Sequence, residues 1–339
     1  MRISVFIRII TILFIVFITG QAGAVTLKIA TLSPDGSAWM KKMRAGAKEV
    51  ERKTNGRVRL RYYPGGVMGN DKAVIRKIRI RQLHGGAIVI GSLSQFFPDI
   101  QIYNLPMKYR SLEEIDYVRL YVDPIVVKGL EKAGFVTLGL AGGGLGYVMS
   151  NDPIRSVQEM REKKVWVPDN DATILEAAKA FGLTPIPLSI ADVRTGLQTG
   201  MIDTVTTSPI GAVALQWHTQ VDYLMELPFM YVFGILVVDK RAFSKISATD
   251  RNMVREIMGR VFNEIDRQNR KDNLEALNAL CKQGVRFLKP PPDALQEWYL
   301  AASKVPTCLI KAGRLSQGIV DTIEKRIFEY RAKQADANE

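Results

Sequence analysis

Cysteine and histidine are scarce in this chain, with two residues of each type among 339. Two cysteines exclude a scaffold built on disulfides and a cysteine-rich zinc module. The two histidines, His84 and His218, leave little material for metal binding or proton transfer, and both are expected to be structural. Mean hydropathy of +0.01 excludes a protein that crosses the membrane several times.

The chain also lacks the short motifs that mark common catalytic sites. It contains no P-loop, no H-E-x-x-H, no C-x-x-C and no G-x-S-x-G. A glycine-rich run at residues 142–146 lies between two extended apolar segments and opens no helix, so it does not fit a dinucleotide-binding fingerprint. We interpret this run as a close backbone approach where the chain crosses between lobes. The sequence therefore predicts no enzyme, no cofactor and no metal site.

Basic residues outnumber acidic ones, with 47 lysines and arginines against 34 aspartates and glutamates. The formal net charge of +13 permits an anionic partner without naming one. The basic runs at residues 57–61 and 76–81 alternate with apolar residues, which is typical of the solvated faces of amphipathic elements. Aromatic residues are not interleaved with them as a nucleic-acid interface requires, so no nucleic-acid partner is expected.

The first 24 residues have the pattern of a secretion signal. Arg2 and Arg8 form a positive start, residues 9–18 form a short apolar run, and residues 22–24 read Ala-Gly-Ala. The run is shorter than the roughly 20 apolar residues that span a bilayer. We predict cleavage after Ala24 and export to the periplasm, with an uncleaved anchor as the alternative.

Export would place Cys281 and Cys308 in an oxidising compartment, where disulfides form. The two cysteines could equally remain as separate thiols, since a sequence carries no geometry. Both alternatives stay open at this point.

Strands and helices alternate along two stretches of the chain, approximately 25–90 and 155–215. Such alternation predicts largely parallel sheets, and two α/β units predict two lobes with a ligand cleft beyond the carboxyl ends of the strands. A highly charged helical stretch at residues 248–283 keeps one apolar face and is long enough to lie across both lobes. We predict an α/β fold in which lobe I covers residues 25–145, lobe II covers 146–235, and residues 236–339 return to lobe I and pack on both.

Six segments in order along the chain resemble the DctP-type solute receptors of TRAP transporters. They are TLSPDGSAWMKKM, YYPGGVMGNDKAVIRKIR, NLPMKYRS, SNDPIRSVQEM, KKVWVPDN and DVRTGLQTGMIDTV. The resemblance covers nearly the whole chain after the signal, from about residue 25 to about residue 330. It implies a two-lobed periplasmic binding protein that closes on a small, usually carboxylated solute. Such receptors deliver the solute to a small and a large membrane subunit driven by an ion gradient.

The resemblance also shows where this chain departs from the family. The family arginine that holds the ligand carboxylate corresponds to Trp166, and a second basic or polar group corresponds to Gly146 or Tyr147. The family asparagine before a proline corresponds to Ser208, and a polar group after the third strand corresponds to Gly91. Together these substitutions remove the charge-assisted anchors that the resemblance implies for the cleft.

Other candidates come from the residue types themselves. Trp166, Tyr147 and Trp217 offer aromatic faces, while Trp39, on the apolar side of a helix, is expected to pack in the core. Placed polar groups would come from Ser33, Ser92, Ser208 and Gln216. Arg194 is either a surface residue or a relocated anchor for an anion. The predicted ligand-binding set is therefore Trp166, Tyr147, Ser208, Trp217, Gly91, Ser33, Gln216 and Arg194.

These observations predict a solute-binding protein, a monomer or weak dimer, that serves a TRAP-type importer. The alternative is an exported ligand-sensing component or an enzyme on the same fold, because fold alone does not fix function. The ligand is expected to be a small organic solute, either a carboxylate or a neutral or aromatic compound. Whether a cation is bound in the cleft stays open.

Overall fold

The computed structural model describes residues 24–169 and 171–336. The predicted signal segment, apart from Ala24, lies outside the described residues, so its cleavage stays a prediction. Across those two ranges, no helix combines the length and the apolar character needed to cross a membrane.

Ten strands of the described ranges join in one continuous network of pairings. They are β1 (Val25–Thr31), β2 (Val58–Tyr63), β3 (Gly85–Val89), β4 (Phe135–Ser150), β5 (Lys164–Pro168), β6 (Thr184–Leu188), β7 (Thr204–Thr207), β8 (Tyr223–Met225), β9 (Met230–Asp239) and β10 (Arg286–Leu288). The main order is β2-β1-β3-β9-β4-β7-β5-β6, while β8 pairs with β4 and β10. We call the part with β1 to β3 the first lobe and the part with β5 to β7 the second lobe.

Helices cover both lobes. They are α1 (Ala38–Lys53), α2 (Asp71–Arg79), α3 (Leu112–Lys132), α4 (Val157–Arg161), α5 (Ala172–Ala180), α6 (Val193–Gln198), α7 (Pro209–Ala214), α8 (Lys240–Ser244), α9 (Ala248–Lys282), α10 (Pro292–Lys311) and α11 (Gln317–Asp336). Short 3₁₀ turns lie at Ile90–Leu93, Pro98–Asn104 and Trp217–Gln220.

The parallel pairings place the strand ends of each lobe side by side. β1 pairs in parallel with β2 and β3, and β5 pairs in parallel with β6 and β7. Each lobe is therefore the α/β unit that the alternating pattern predicts, with its carboxyl strand ends along one edge. The α/β prediction with two lobes is confirmed.

Two long antiparallel strands connect the lobes. β4 pairs with β9 from Phe135 to Gly146 and then changes partner to β7 from Tyr147 onward. A register shift between Gly142 and Gly144 interrupts the β4–β9 ladder. A Cβ on Gly144, whose φ is +105°, would lie 2.5 Å from Asn273 Nδ2. The glycine run is thus a close backbone approach, as predicted, because no larger residue fits against the neighbouring helix.

Helix α9 lies against both lobes. In its first half, Val261 and Phe262 belong to the same buried cluster as Met40 and Met43 of α1. In its second half, Leu280 is buried in a different cluster with Trp217. The prediction of a bridging helix is confirmed, whereas the residue boundaries of the lobes stay a prediction.

The apolar spacing of the sequence predicts a helix over residues 71–83, and in the structure this helix ends earlier. It stops at Arg79, and Arg81 adopts a left-handed conformation with φ of 63°. Beyond it, Ile80 is exposed and Leu83 is buried outside the helix. Hydrophobic spacing alone therefore overran the true end by four residues.

Candidate functional site

A cavity of about 610 Å³ lies between the two lobes. Its walls include the ends of β1 at Thr31, β3 at Val89, β5 at Pro168 and β7 at Thr207. These are the carboxyl ends of the parallel strands, where α/β proteins bind their ligands. The volume falls in the range of small-molecule sites.

Aromatic side chains from both lobes line much of this cavity. The Trp166 and Trp217 rings pack edge to face with centroids 5.0 Å apart, and Trp39 packs the same way on Phe262 at 5.9 Å. Trp166 Nε1 donates a hydrogen bond to the Leu188 carbonyl at 3.0 Å, and Trp39 Nε1 donates to Asn269 Oδ1 at 2.9 Å. Both indole N–H groups are therefore engaged within the protein.

That engagement corrects one expectation for Trp166. A tryptophan at this position is expected to offer a ligand both an aromatic face and an N–H donor. The structure gives the N–H to the backbone of the strand beside it, because β5 and β6 are paired through Trp166 and Ile186. Trp166, 8% exposed, contributes only its ring surface to the cavity wall.

Hydroxyl groups form a second kind of lining. Ser208 caps helix α7, and its Oγ accepts a hydrogen bond from Gly211 N at 3.3 Å. The Ser33 backbone N–H donates to Thr31 Oγ1 at 3.2 Å. A hydroxyl both donates and accepts, so these groups can hold a neutral polar ligand group.

Asp71 is a buried carboxylate in the cavity wall and is 4% exposed. Its Oδ2 accepts hydrogen bonds from Val89 N at 3.1 Å and from Ser92 Oγ at 3.0 Å. Its Oδ1 is buried without a hydrogen-bond partner among the described residues. Burial raises the pKa of Asp71 to about 6 despite these two donors, with the charge of Asp169 adding to the effect.

Asp171 is a second buried carboxylate in the wall, also 4% exposed. Its Oδ1 caps helix α5 by accepting from Thr173 N at 3.1 Å and Ile174 N at 3.0 Å. Its Oδ2 accepts from the Gln101 side chain, which reaches it from the Pro98–Asn104 turn. Burial raises the pKa of Asp171 to about 6 as well.

Gly91 lies directly between these groups. A Cβ on it would lie 2.1 Å from Asp171 Oδ2 and 3.0 Å from Gln101 Nε2. Glycine is required here because any side chain would displace the carboxylate from its partner. The space beside Gly91 is therefore occupied by a carboxylate from the other lobe.

No arginine, lysine or histidine lines the cavity among the described residues. The structure thus brings two acidic side chains to the site and no basic one. The two aspartates add negative charge that the sequence did not suggest, and the loss of the family's charged anchors stays a prediction.

Five of the eight predicted site residues line the cavity. They are Ser33, Gly91, Trp166, Ser208 and Trp217. Trp39, expected in the core, also borders it while packing on Phe262.

The other three predicted residues, Tyr147, Gln216 and Arg194, do not line the cavity. Tyr147 stands opposite Thr207 in the β4–β7 ladder and packs against the smaller buried cluster around Trp217. Arg194 Nη1 donates to Gln216 Oε1 at 2.5 Å, and both residues are exposed. Arg194 is a surface residue, because α6 turns it outward toward the loop before the Trp217–Gln220 turn.

Sequence reasoning missed Asp71, Asp171 and Gln101. Both aspartates lie at helix starts, where acidic residues are ordinary caps, so their position gave no sign of a ligand. Gln101 lies in a stretch that showed no regular spacing. The pattern P-D-N-D after a buried strand was the one available signal, because it placed Asp171 at a carboxyl strand end.

The remaining polar candidates have structural roles. His84 Nδ1 accepts a hydrogen bond from Lys28 N at 3.0 Å, and His218 Nδ1 lies 3.0 Å from the Ala212 carbonyl oxygen. Cys281 and Cys308 are free and exposed, so the structure contains two thiols in place of a bridge. In the described ranges, no group of three or more His, Cys, Asp or Glu side chains is placed to hold a metal.

Two curated relatives share sequence with this chain. An uncharacterized protein YiiZ of Salmonella typhimurium is 26% identical over 203 residues, which cover 57% of this chain and 61% of the relative's length. The sialic acid-binding periplasmic protein SiaP of Vibrio cholerae is 22% identical over 286 residues, covering 81% of this chain and 88% of SiaP.

The fold matches a solved TRAP periplasmic solute binding protein from Desulfovibrio salexigens, whose crystal structure holds orotic acid. The TM-score is 0.82 at 17% sequence identity, and the match covers 90% of this chain and 99% of the other. This likeness confirms the two-lobed binding-protein fold. Residues 29–308 match the model of the DctP family, which is described as "Bacterial extracellular solute-binding protein, family 7". This chain therefore belongs to the DctP family of extracellular solute-binding proteins.

Proposed function

We propose that this protein works in the periplasm and binds a small organic solute in the cavity between its lobes. The observation that carries this proposal is the 610 Å³ cavity at the carboxyl ends of β1, β3, β5 and β7. We further propose that the two lobes close on the solute and that the closed form delivers it to the small and large membrane subunits of a TRAP-type importer. The family membership supports this step.

We also propose that the solute is not a simple C4-dicarboxylate. A carboxylate that enters this cavity gives up its hydration and meets two aspartates and, among residues 24–169 and 171–336, no basic side chain. A charge-assisted hydrogen bond contributes about 1.5–3 kcal/mol, so its absence weakens binding by roughly 10- to 150-fold. Sialic acid and orotic acid, which are named for the two similar proteins above, are both acids. We expect the solute of this chain to differ from both.

Native mass spectrometry of the protein exported and purified without unfolding tests the solute. We expect a bound mass below that of a peptide and a protein N-terminus at Val25. Calorimetry with succinate, malate and fumarate then tests the exclusion of dicarboxylates. Submicromolar binding of any of the three would contradict that exclusion, and an exported protein that still contains Arg2 and Arg8 would contradict the cleavage.

The lobe arrangement gives a second test of the same proposal. β4 and β9 are continuous across the crossing, so they are the natural hinge. X-ray scattering should show a smaller radius of gyration when the co-purified solute is added back to emptied protein. An unchanged profile at saturation would count against closure, because a ligand drives closure only if it prefers the closed state.

A further inference from the structure

We propose that the cavity selects a protonated organic amine with an apolar body, and that Asp71 is the residue that holds its ammonium group. The inference rests on the proposed function, because it names the solute class for the same cavity. It reverses the sign of charge that the family resemblance implies for the ligand.

One oxygen of the Asp71 carboxylate lacks a hydrogen-bond donor among the described residues. Both donors that reach this carboxylate from the protein, Val89 N and Ser92 Oγ, bond to Oδ2. Oδ1 is buried and has no donor in the described part of the chain. A buried carboxylate oxygen left without a donor is costly, so a group that supplies one gains affinity. Asp71 borders the cavity, and a rotation of its carboxylate that turns Oδ1 toward the cavity lets a ligand bound there supply that donor.

Protonation of Asp71 does not remove this need. A proton on Oδ1 turns the atom into a hydroxyl donor, which then lacks an acceptor in the same surroundings. A proton on Oδ2 leaves Oδ1 as a carbonyl oxygen that is still without a donor. An ammonium N–H answers both the missing hydrogen bond and the uncompensated charge.

The second carboxylate, that of Asp171, adds negative charge to the cavity, while Asp71 is the one that holds the ammonium group. Asp171 already accepts hydrogen bonds on both oxygens, from two backbone N–H groups and from Gln101. Asp169 adds a further negative charge that acts on Asp71, and Arg314 acts on Asp171. Since no basic side chain lines the cavity among the described residues, its interior favours a cation.

The aromatic lining fits the remainder of such a ligand. Trp39, Trp166 and Trp217 border the cavity, and the N–H groups of the first two are engaged elsewhere. The faces of aromatic rings carry partial negative charge and attract cations, while their area buries an apolar body. The combination of carboxylate and rings suits an amine on an aliphatic or aromatic frame.

The experiment compares three head groups on three bodies. The probes are phenethylamine, 2-phenylethanol and 3-phenylpropionate; butylamine, 1-butanol and pentanoate; and tryptamine, tryptophol and indole-3-propionate. Each is titrated calorimetrically into emptied protein at about pH 7.5, where an ordinary carboxylate is ionised. We expect the amine to bind at least about tenfold more tightly than the matched alcohol on at least one body, and the acid to bind weakest.

Two variants assign the effect to Asp71. Asp71→Asn keeps the shape and removes the charge, and should lower amine affinity at least about tenfold while leaving the alcohol nearly unchanged. Asp71→Ala is the second variant, in case the amide repacks. Asp35→Asn is the matched control, because Asp35 is an exposed carboxylate of the same lobe that pairs with Arg44 and does not line the cavity. It should change amine affinity less than about twofold.

The inference is overturned if the acids bind as tightly as the amines, if no amine binds, or if Asp71→Asn and Asp71→Ala retain the parent affinity. The proposed function is judged separately by the co-purified solute. A bound solute of any charge keeps it, even when the amine series fails, whereas a protein that holds no solute under any condition defeats the function itself.

Discussion

The crossing between the lobes and the wall of the cavity differ in whether their charged side chains have a partner of opposite sign. At the crossing, Arg119 pairs with Asp123 at 3.1 Å and with Asp266 at 2.9 Å, and both Arg119 and Asp266 side chains are 13% exposed. In the cavity wall, Asp71 is more deeply buried and has no basic partner in the part of the chain that the structure describes. At the crossing the chain supplies the counter-charge for its carboxylates, whereas the proposed amine site leaves the counter-charge of Asp71 to the ligand.

The crossing network also ties the charges to the hinge strands. Asp266 Oδ1 accepts a hydrogen bond from Gly142 N at 2.6 Å, and Arg270 reaches Asp266 Oδ2 at 3.4 Å. The Arg119 guanidinium lies 4.8 Å from the centroid of the Phe233 ring, and Phe233 lines the cavity. The ion pairs at the crossing therefore hold β4, β9 and α9 together next to the cavity wall that contains Asp71.

Arg119→Met gives the largest expected effect and tests the paired half of the comparison. It leaves Asp123 with no basic partner in the described ranges and Asp266 with Arg270 alone, and breaking a buried pair costs about 3–5 kcal/mol. We expect the free energy of unfolding to fall by that amount in chemical denaturation. Arg44→Met is the control, since the Arg44–Asp35 pair is exposed and should contribute less than about 1 kcal/mol. Equal losses in the two variants would remove the distinction between buried and exposed pairs.

Asp71→Asn tests the unpaired half and should have the opposite sign. A pKa raised from 3.8 to about 6 means that the ionised form disfavours the fold near neutral pH. The neutral amide relieves part of that penalty but leaves an N–H donor in place of Oδ1, so we expect a net gain of about 1–2 kcal/mol. The measurement is the free energy of unfolding of ligand-free protein at about pH 7.5. A loss of stability would show that Asp71 is compensated after all.

The pH dependence of stability sharpens the same point with a smaller effect. Asp71 and Asp171 have folded pKa values above their ordinary value, so the folded state binds more protons than the unfolded one between pH 3.8 and about 6. Their contribution to stability is therefore greatest below this window and is lost as pH rises through it. The pKa of Asp71 is lowered by hydrogen bonds from Val89 and Ser92 and raised by the charge of Asp169. The pKa of Asp171 is lowered by hydrogen bonds from Thr173, Ile174 and Gln101 and by the charge of Arg314.

The difference between parent and Asp71→Asn isolates this contribution. Other carboxyl groups, such as that of Asp250 beside Arg57, have lowered pKa values. Their contribution to the stability of the fold is lost at low pH, and this loss is the same in the parent and in the variant. We expect the advantage of the variant to shrink steadily as pH falls from about 7 to about 4. Unfolding curves at half-unit steps measure it, and an advantage that stays constant with pH would exclude titration of Asp71 as its source.

The fold was accessible from the sequence because it depends on repeated local patterns. The apolar spacing in α9 and the alternation in β2 each recur over several residues and survive errors at the ends. Helix α3 was missed, although Ser111 and Glu114 form a capping pattern at its start. Pro124 lies inside this helix, and its presence obscures the helical spacing.

The site was only partly accessible, because it depends on which side chains meet across two lobes. Gly91 was found through the resemblance, but the carboxylate that takes up the space beside it comes from Asp171, 80 residues later. No local pattern reports such a meeting. Tyr147 does not line the cavity and Arg194 takes the surface alternative that the sequence left open, since residue type alone does not say which way a strand or a short helix turns its side chains.

Arg194→Ala gives the smallest expected effect and tests whether the cavity has any distant basic anchor. Arg194 is exposed, is hydrogen-bonded to Gln216 and does not line the cavity, so its removal should change solute affinity less than about twofold. Trp166→Ala is the contrast, because it removes a ring that lines the cavity and packs on Trp217 at 5.0 Å. Its expected loss of affinity is about tenfold or more. Both are measured by calorimetry with the co-purified solute in low and in high salt. If Arg194→Ala weakened binding as much as Trp166→Ala, and salt weakened the parent alike, a basic group would reach the solute on closure and the cavity would no longer contrast with the crossing.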